Sequence, residues 1–301
     1  MVYINLITSL ALVTLSAEFL VSSSKKIADH FRVSSRTFGM IIVGPATSLP
    51  EIAVSIEALS QGYPDIVMGN ALGSTIANIG LVLAISLYFI KIQPSDQKEI
   101  YRQLLDVVVI GAVLCYGVIR WYTSTALCIF YLWRLFSSRQ QTQTQTEPHE
   151  SSSPIHWYML LLAISILTLF YASDLLITSC KTLGEIWHIS DLVIGLSIVA
   201  IGTSLPELAT GLSCIRQNNH DLAIGNIFGS NTICLLVITS MAGFQGSYQV
   251  LPINLYRDIP IILLLNGLVF LLSKNQKHLT QLVIPIIMLS TFVGYQVSLF
   301  V

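Results

Sequence analysis

Two carboxylates set in apolar sequence carry the chemistry of this chain. Glu51 closes the run Thr47-Ser48-Leu49-Pro50-Glu51, and Glu207 closes the same five residues at Thr203-Ser204-Leu205-Pro206-Glu207. Within a helix, Pro50 has no N–H to give the carbonyl of Ala46, and its ring crowds that turn. Pro206 does the same to Gly202. The helix breaks at both places, and backbone oxygens at Ala46/Thr47 and Gly202/Thr203 turn toward a ligand. Thr47 and Ser48 lie four and three residues before Glu51, so hydroxyls, freed carbonyls and a carboxylate share one face. Thr203, Ser204 and Glu207 repeat the set. Oxygen-only ligation suits hard cations such as Ca²⁺ and Na⁺. The charge of the two carboxylates matches one Ca²⁺ or two Na⁺. The bland alternative has both glutamates protonated or buried against a Lys, but no Lys or Arg lies within these spans short of their ends at Arg36 and Arg216. An intramembrane carboxylate costs about 3 kcal/mol or more, so two at matched positions point to a cation site.

The two runs belong to a longer repeat at a fixed offset of 156 residues. Downstream, Asp65 matches Asp221, Gly69-Asn70 matches Gly225-Asn226, and Gly73-Ser74 matches Gly229-Ser230. Upstream, Lys25, Ser34 and Gly39 match Lys181, Ser190 and Gly195, and Glu18 faces Asp174. Ser74 and Asn78 fall one turn apart on a helix, as do Ser230 and Cys234. The glycines of these segments read as sites of close helix approach. Ser74, Ser230 and Asn78 read as further site residues, against the alternative of hydroxyls bonded back to their own helix.

These motifs need a membrane around them. The chain has 301 residues, 53% hydrophobic and 10% charged, against about 25% charged in soluble domains. Its mean hydropathy is +0.73. The spans read as 2–23, 36–60, 64–90, 101–119, 122–136, 156–179, 190–216, 220–243, 257–273 and 279–300. The expected fold class is therefore an all-α integral membrane protein of about ten transmembrane helices. The first apolar run, Val2 to Val21, lacks a basic n-region and reads as a span rather than a cleaved leader. Twelve of the fifteen Lys and Arg fall in one set of alternate loops. That bias places both termini outside the cytoplasm. The small loops suit a bacterial inner membrane. Residues 137–155, rich in Ser, Gln and Thr, read as a disordered cytoplasmic linker. It divides a first repeat (1–136) from a second (156–301). Each repeat holds five spans, an odd number, so the copies are inverted relative to each other, a common transporter architecture. A duplicated structural module would be apolar where these copies match best.

Composition also excludes classes. A net charge of −1 without a basic patch argues against a nucleic-acid partner, leaving cations and the lipid bilayer. Five cysteines without CxxC spacing argue against a disulfide framework or a zinc knuckle. The six histidines fall in loops or at span ends, which leaves an enzyme without a base or a metal site.

The paired TSLPE and GNxxGS segments resemble the alpha-repeats of the calcium/cation antiporter superfamily, which includes the sodium/calcium exchangers and their prokaryotic relatives. The resemblance covers nearly the whole chain. It implies that Glu51 and Glu207 are the central ligands of Ca²⁺, joined by the carbonyls of Thr47 and Thr203. It implies that Ser48, Ser74, Ser204 and Ser230, with carbonyls near Gly44 and Ala200, help form flanking Na⁺ sites. Alternating access would follow, with spans one and six sliding across a rigid core. Ca²⁺ and Na⁺ are then transported substrates, and no cofactor is expected. Glu18 and Asp174 receive no ligand role; a solvated or interhelical one is expected.

The chain departs from this pattern at Cys234, where the family carries a carboxylate or amide opposite Asn78. A neutral thiol is a poor ligand for hard cations, and Cys234 reads best as a small space-filling residue. Ala46 stands where Gly is expected, Pro45 adds a break that frees Ile41, and Thr75 stands opposite Asn231. The leading expectation is Na⁺/Ca²⁺ antiport. The first rival is a H⁺-coupled Ca²⁺ or cation exchanger, because two glutamates in a partly dry site can carry protons. A passive cation channel ranks below both, since it needs a continuous pore.

Overall fold

The structure, a computed structural model, describes residues 2–93, 96–139, 154–186, 200–275 and 278–299. The first part of the seventh expected span, with Ser190 and Gly195 of the repeat, and most of the 137–155 linker lie outside the described residues.

The described chain is helical. Its helices are α1 (Val2–His30), α2 (Ser35–Thr47), α3 (Leu49–Ser60), α4 (Pro64–Ser86), α5 (Gln97–Cys115) and α6 (Trp121–Arg139). They continue as α7 (Ile155–Ile186), α8 (Ala200–Thr203), α9 (Leu205–Arg216), α10 (His220–Met241), α11 (Asn254–Lys274) and α12 (His278–Ser298). Two short strands, β1 (Val118–Ile119) and β2 (Tyr248–Gln249), pair antiparallel, with Val118 opposite Gln249.

Among the described residues, six helices are long and apolar enough to cross a membrane, or seven if the bent pair α2–α3 is one span. The expected ten meet this smaller number for physical reasons. Helix α5 carries Lys98, Glu99, Arg102 and Asp106. Helix α6 is diluted by polar residues at both ends, and the seventh expected span is described only from residue 200 onward. Helices α4 and α10, which bear the GNxxGS segments, are 72% and 94% buried over their apolar windows, against 33% for α1 and α7. A helix apolar all round belongs in the interior, whereas α1 and α7 turn residues such as Ile7, Phe19, Leu160 and Leu167 outward to lipid.

The described helices gather into two compact units, each drawing on both halves of the sequence. One comprises 1–50 and 137–229, the other 51–136 and 230–301. In the first, α1 lies along α7 and touches α9, and the end of α2 meets α9. Helices α2 and α10 approach at backbone distance. A Cβ on Gly225 would lie 2.2 Å from the Arg36 carbonyl oxygen, and one on Gly229 would lie 2.6 Å from that of Met40. This is the small-xxx-small contact by which membrane helices pack closely. Arg36 and Asp221 form an ion pair at the same crossing.

In the second unit, α11 packs on α5 and α12, and residues 64–77 of α4 pack on residues 233–238 of α10. A buried polar cluster ties its helices together. Arg134, one of the twelve basic residues assigned to the cytoplasmic side, at the end of the fifth expected span, is only 2% exposed. Its Nε lies 3.0 Å from Asp106 Oδ1, and the Thr232 hydroxyl donates to Asp106 Oδ2 at 3.1 Å. Glu99 pairs with Arg102 on the adjoining turn. Removing one member of a buried pair strands the other charge, at about 3–5 kcal/mol. Asp106→Ala is therefore expected to lower the thermal unfolding midpoint of the detergent-solubilised protein by many degrees. A midpoint equal to the parent's, read by intrinsic fluorescence, would contradict this account of the cluster.

Candidate cation site

The helix breaks fall where the prolines require them. Ser48 separates α2 from α3 with φ −83° and ψ 9°, and Ser204 separates α8 from α9 with φ −86° and ψ 5°. The matched values show the same backbone solution reached twice. Each break lies two residues before a proline, and each is followed by a helix with a glutamate in its first turn.

In the first unit, Thr47, Ser48, Thr203, Ser204 and Glu207 are all buried, with Glu207 fully so. The Ser48 hydroxyl donates to Glu207 Oε1 at 3.2 Å, so a hydroxyl of the first repeat serves the carboxylate of the second. Sequence spacing had grouped Ser48 with Glu51 of its own repeat. Thr47 Oγ1 lies 3.1 Å from the Gly44 carbonyl oxygen and 3.0 Å from Asn226 Oδ1. One hydroxyl proton serves one acceptor at a time. The Asn226 amide, whose Nδ2 has no other hydrogen-bond partner among the described residues, satisfies both groups when its nitrogen faces Thr47. Ser204 Oγ has no hydrogen-bond partner among the described residues and remains free to accept one.

In the second unit, Glu51 is also fully buried. Asn70 Nδ2 donates to the Glu51 carbonyl oxygen at 2.8 Å and to Ser55 Oγ at 2.9 Å, which fixes the turn that carries the carboxylate. Ser74 Oγ lies 3.4 Å from Asn70 Oδ1, and Asn78 follows one turn on. Asn78 is fully buried, and neither of its amide atoms has a hydrogen-bond partner among the described residues. A buried side-chain amide of this kind offers a carbonyl oxygen and an N–H group for a further polar contact. The helix widens into a π turn at Asn78–Leu83, and α10 does so at Ile233–Ile238, one residue before the repeat-related position. Turns of this kind re-aim side chains and recur at functional sites. Ser230 and Cys234 are fully buried on α10, and Cys234 is in no disulfide among the described residues.

A fully buried carboxylate is stable only with a proton, a cation or several donors beside it. No group of three or more His, Cys, Asp or Glu placed to hold a metal ion occurs among the described residues. A cation here would thus take its remaining ligands from hydroxyl, amide and carbonyl oxygens, the set that hard cations prefer. Glu18 pairs with Arg216 of α9 at 2.5 Å, and its carbonyl accepts from Gln217 at 3.0 Å. Its role is interhelical. Asp174 is exposed.

The structure also raises residues to which the sequence alone attached no role. Asn70 and Asn226 stand in the repeat as a matched pair, and that match was the available signal. Asn231, fully buried with both amide atoms lacking a hydrogen-bond partner among the described residues, stands opposite Thr75, whose hydroxyl bonds back to Ala71 at 2.9 Å.

Residues 1–138 and 157–301 match the family described as sodium/calcium exchanger protein, and the gap falls in the polar linker. The inner membrane protein YrbG of Escherichia coli is 32% identical over 292 residues, which cover 90% of this chain and 88% of that protein. The putative antiporter CaxA of Alkalimonas amylolytica is 31% identical, with 99% and 98% covered. The solved structure of the sodium-calcium exchanger NCX_Mj soaked with zero Na⁺ and Ca²⁺ aligns with a TM-score of 0.86 at 27% identity, over 99% of this chain and 98% of that one.

Proposed function

The chain belongs to the sodium/calcium exchanger protein family, and from that premise we propose that it exchanges Na⁺ for Ca²⁺ by alternating access, with Glu51 and Glu207 as the carboxylates that hold the cation. It is a multi-pass membrane protein and a cation antiporter by family, not an enzyme. The observation that carries the finer reading is the twice-built break, Thr-Ser-Leu-Pro-Glu, with both glutamates fully buried. In this reading the chain crosses an inner membrane ten times, as two inverted repeats (1–136 and 156–301) joined by the 137–155 linker, with both termini outside the cytoplasm.

Ca²⁺ would take the two carboxylates together with the carbonyls of Thr47 and Thr203. Na⁺ would take Ser48, Ser74, Ser204 and Ser230. Asn78 completes the set as a neutral oxygen donor. Coupling follows from charge. Carboxylates without a counter-ion are too costly to carry through a dry intermediate, so the protein changes its access only when loaded. Because Ca²⁺ and Na⁺ compete for the same carboxylates, release of one requires arrival of the other. Helices α1 and α7, which face lipid and pair with each other, are the elements suited to slide.

Calorimetric Ca²⁺ binding to the purified protein tests this directly. Na⁺ is expected to weaken Ca²⁺ binding competitively, and Ca²⁺ affinity indifferent to Na⁺ would remove the shared site. One observation favours a second reading: Cys234 offers neither carboxylate nor amide where the family pattern has one. Transport coupled to H⁺ would then show as Ca²⁺ uptake driven by a pH gradient without Na⁺.

Cys234 and Asn78, related by the repeat, should differ sharply in effect. A thiol contributes little to hard-cation binding, so Cys234→Ala is expected to keep the transport rate within about threefold of the parent, a cost under ~1 kcal/mol. Asn78→Ala removes an oxygen ligand and is expected to lower apparent Ca²⁺ affinity about tenfold, some 1.4 kcal/mol. Initial rates across a Ca²⁺ series in liposomes measure both, and equal effects would contradict the roles assigned.

A further inference from the structure

Three helix ends close with the same pair of backbone hydrogen bonds. After α1, Val33 N bonds the Ala28 carbonyl at 2.9 Å and Arg32 N bonds that of Asp29. After α3, Tyr63 N bonds Ala58 at 2.8 Å and Gly62 N bonds Leu59. After α9, Asn219 N bonds Cys214 at 2.8 Å and Asn218 N bonds Ile215. This closure needs a left-handed residue, for which glycine is the unstrained choice and asparagine the next. Gly62 and Asn218 obey that rule, with φ 80° and 52°. The third position holds Arg32, at φ 53°. An arginine kept in a conformation that disfavours it indicates that its side chain has a use.

Arg32 lines a groove of about 700 Å³ formed within one unit by the end of α1, the start of α2 and the first turns of α7. Ile27, Phe38, Ile41, Leu162, Ala163 and Ile166 make its apolar wall, and Arg32 is the only charged residue of its lining among the described residues. We propose that this groove seats an anionic phospholipid, one acyl chain against the apolar wall and the phosphate on Arg32. Three features favour this occupant. The chain is embedded in a bilayer, the volume suits an acyl chain, and a guanidinium at an apolar groove is complementary to an anionic phosphate. Lys25 and Lys26, one to two turns back along α1, add positive potential on the same side. This lipid seat does not depend on which ion drives exchange.

Native mass spectrometry of the full chain in detergent, titrated with phosphatidylglycerol or phosphatidylcholine of identical acyl chains, tests it. The parent is expected to bind phosphatidylglycerol about fivefold more tightly, the factor one basic residue near a phosphate confers. Arg32→Gly is expected to abolish that preference while leaving the thermal midpoint equal or higher, because glycine relieves the left-handed position. Arg32→Lys should keep most of the preference. Ala163→Trp, on the exposed side of α7, should fill the groove and weaken binding of both lipids. Equal binding of the two lipids by the parent would overturn the proposal, as would an undiminished preference in Arg32→Gly.

Discussion

Glu51→Gln and Glu207→Gln are each expected to reduce cation-driven Ca²⁺ uptake about a hundredfold or more while leaving the protein folded. The substitution keeps shape and oxygen but removes the charge. Both carboxylates are fully buried, so their attraction for a divalent ion is little screened. Losing one partner of a buried charge pair costs about 3–5 kcal/mol, which corresponds to at least about two orders of magnitude in binding. Loss of charge also relieves a folding penalty. Each variant should therefore unfold at a temperature equal to or above the parent's without Ca²⁺, and gain less stabilisation when Ca²⁺ is added. Uptake within about threefold of the parent, a change under ~1 kcal/mol, would show that the ion does not rest on these residues.

The second large effect is steric. Gly225→Ala would place a methyl carbon 2.2 Å from the Arg36 carbonyl oxygen, and Gly229→Ala one 2.6 Å from that of Met40. Both obstacles are backbone, so relief requires α2 and α10 to separate. Ordinary overpacking costs about 1–3 kcal/mol, and a clash of backbone on both helices should reach the top of that range or exceed it. Because α2 ends in Thr47, which meets Asn226 on α10, separation would also displace Thr47, one of the proposed ligands. Gly225→Ala is expected to lower both the unfolding midpoint and the transport rate severely. Gly294→Ala, on the exposed face of α12 with nothing within 4 Å of its added carbon among the described residues, should be neutral or slightly stabilising. Equal midpoints for the two would contradict the close crossing.

Much of this site could be read in the residues alone. Pro50 and Pro206 forbid a helical bond each, and the chain breaks at Ser48 and Ser204 as that chemistry demands. The packing role expected of the repeat glycines holds at Gly225 and Gly229, because only the absence of a side chain lets two backbones meet. For Gly69 and Gly73, the facing segment by repeat symmetry lies outside the described residues.

Other features were hidden for identifiable reasons. Ser48 reaching Glu207 joins residues 159 apart in sequence, a pairing that helical spacing cannot express. A π turn shifts the phase of a helix's apolar pattern, but α4 and α10 are buried over most of their surface and have no separate polar face in which a shift could be read, so Asn78 and Ile233 gave no sign of theirs. Arg134 resembled a loop cation at a span end. Its burial depended on Asp106 and Thr232, which no local pattern connects to it. Asn70 was visible in the repeat, but a side chain that bonds the backbone of Glu51 looks in sequence like any other repeat-matched polar residue on a helix.

The most direct test of the account is Ca²⁺ uptake into proteoliposomes loaded with Na⁺ and diluted into K⁺ medium, with pH equal on both sides. Uptake that requires internal Na⁺ and disappears in Glu207→Gln is the predicted result. Folded protein that takes up no Ca²⁺ under a Na⁺ gradient would contradict it.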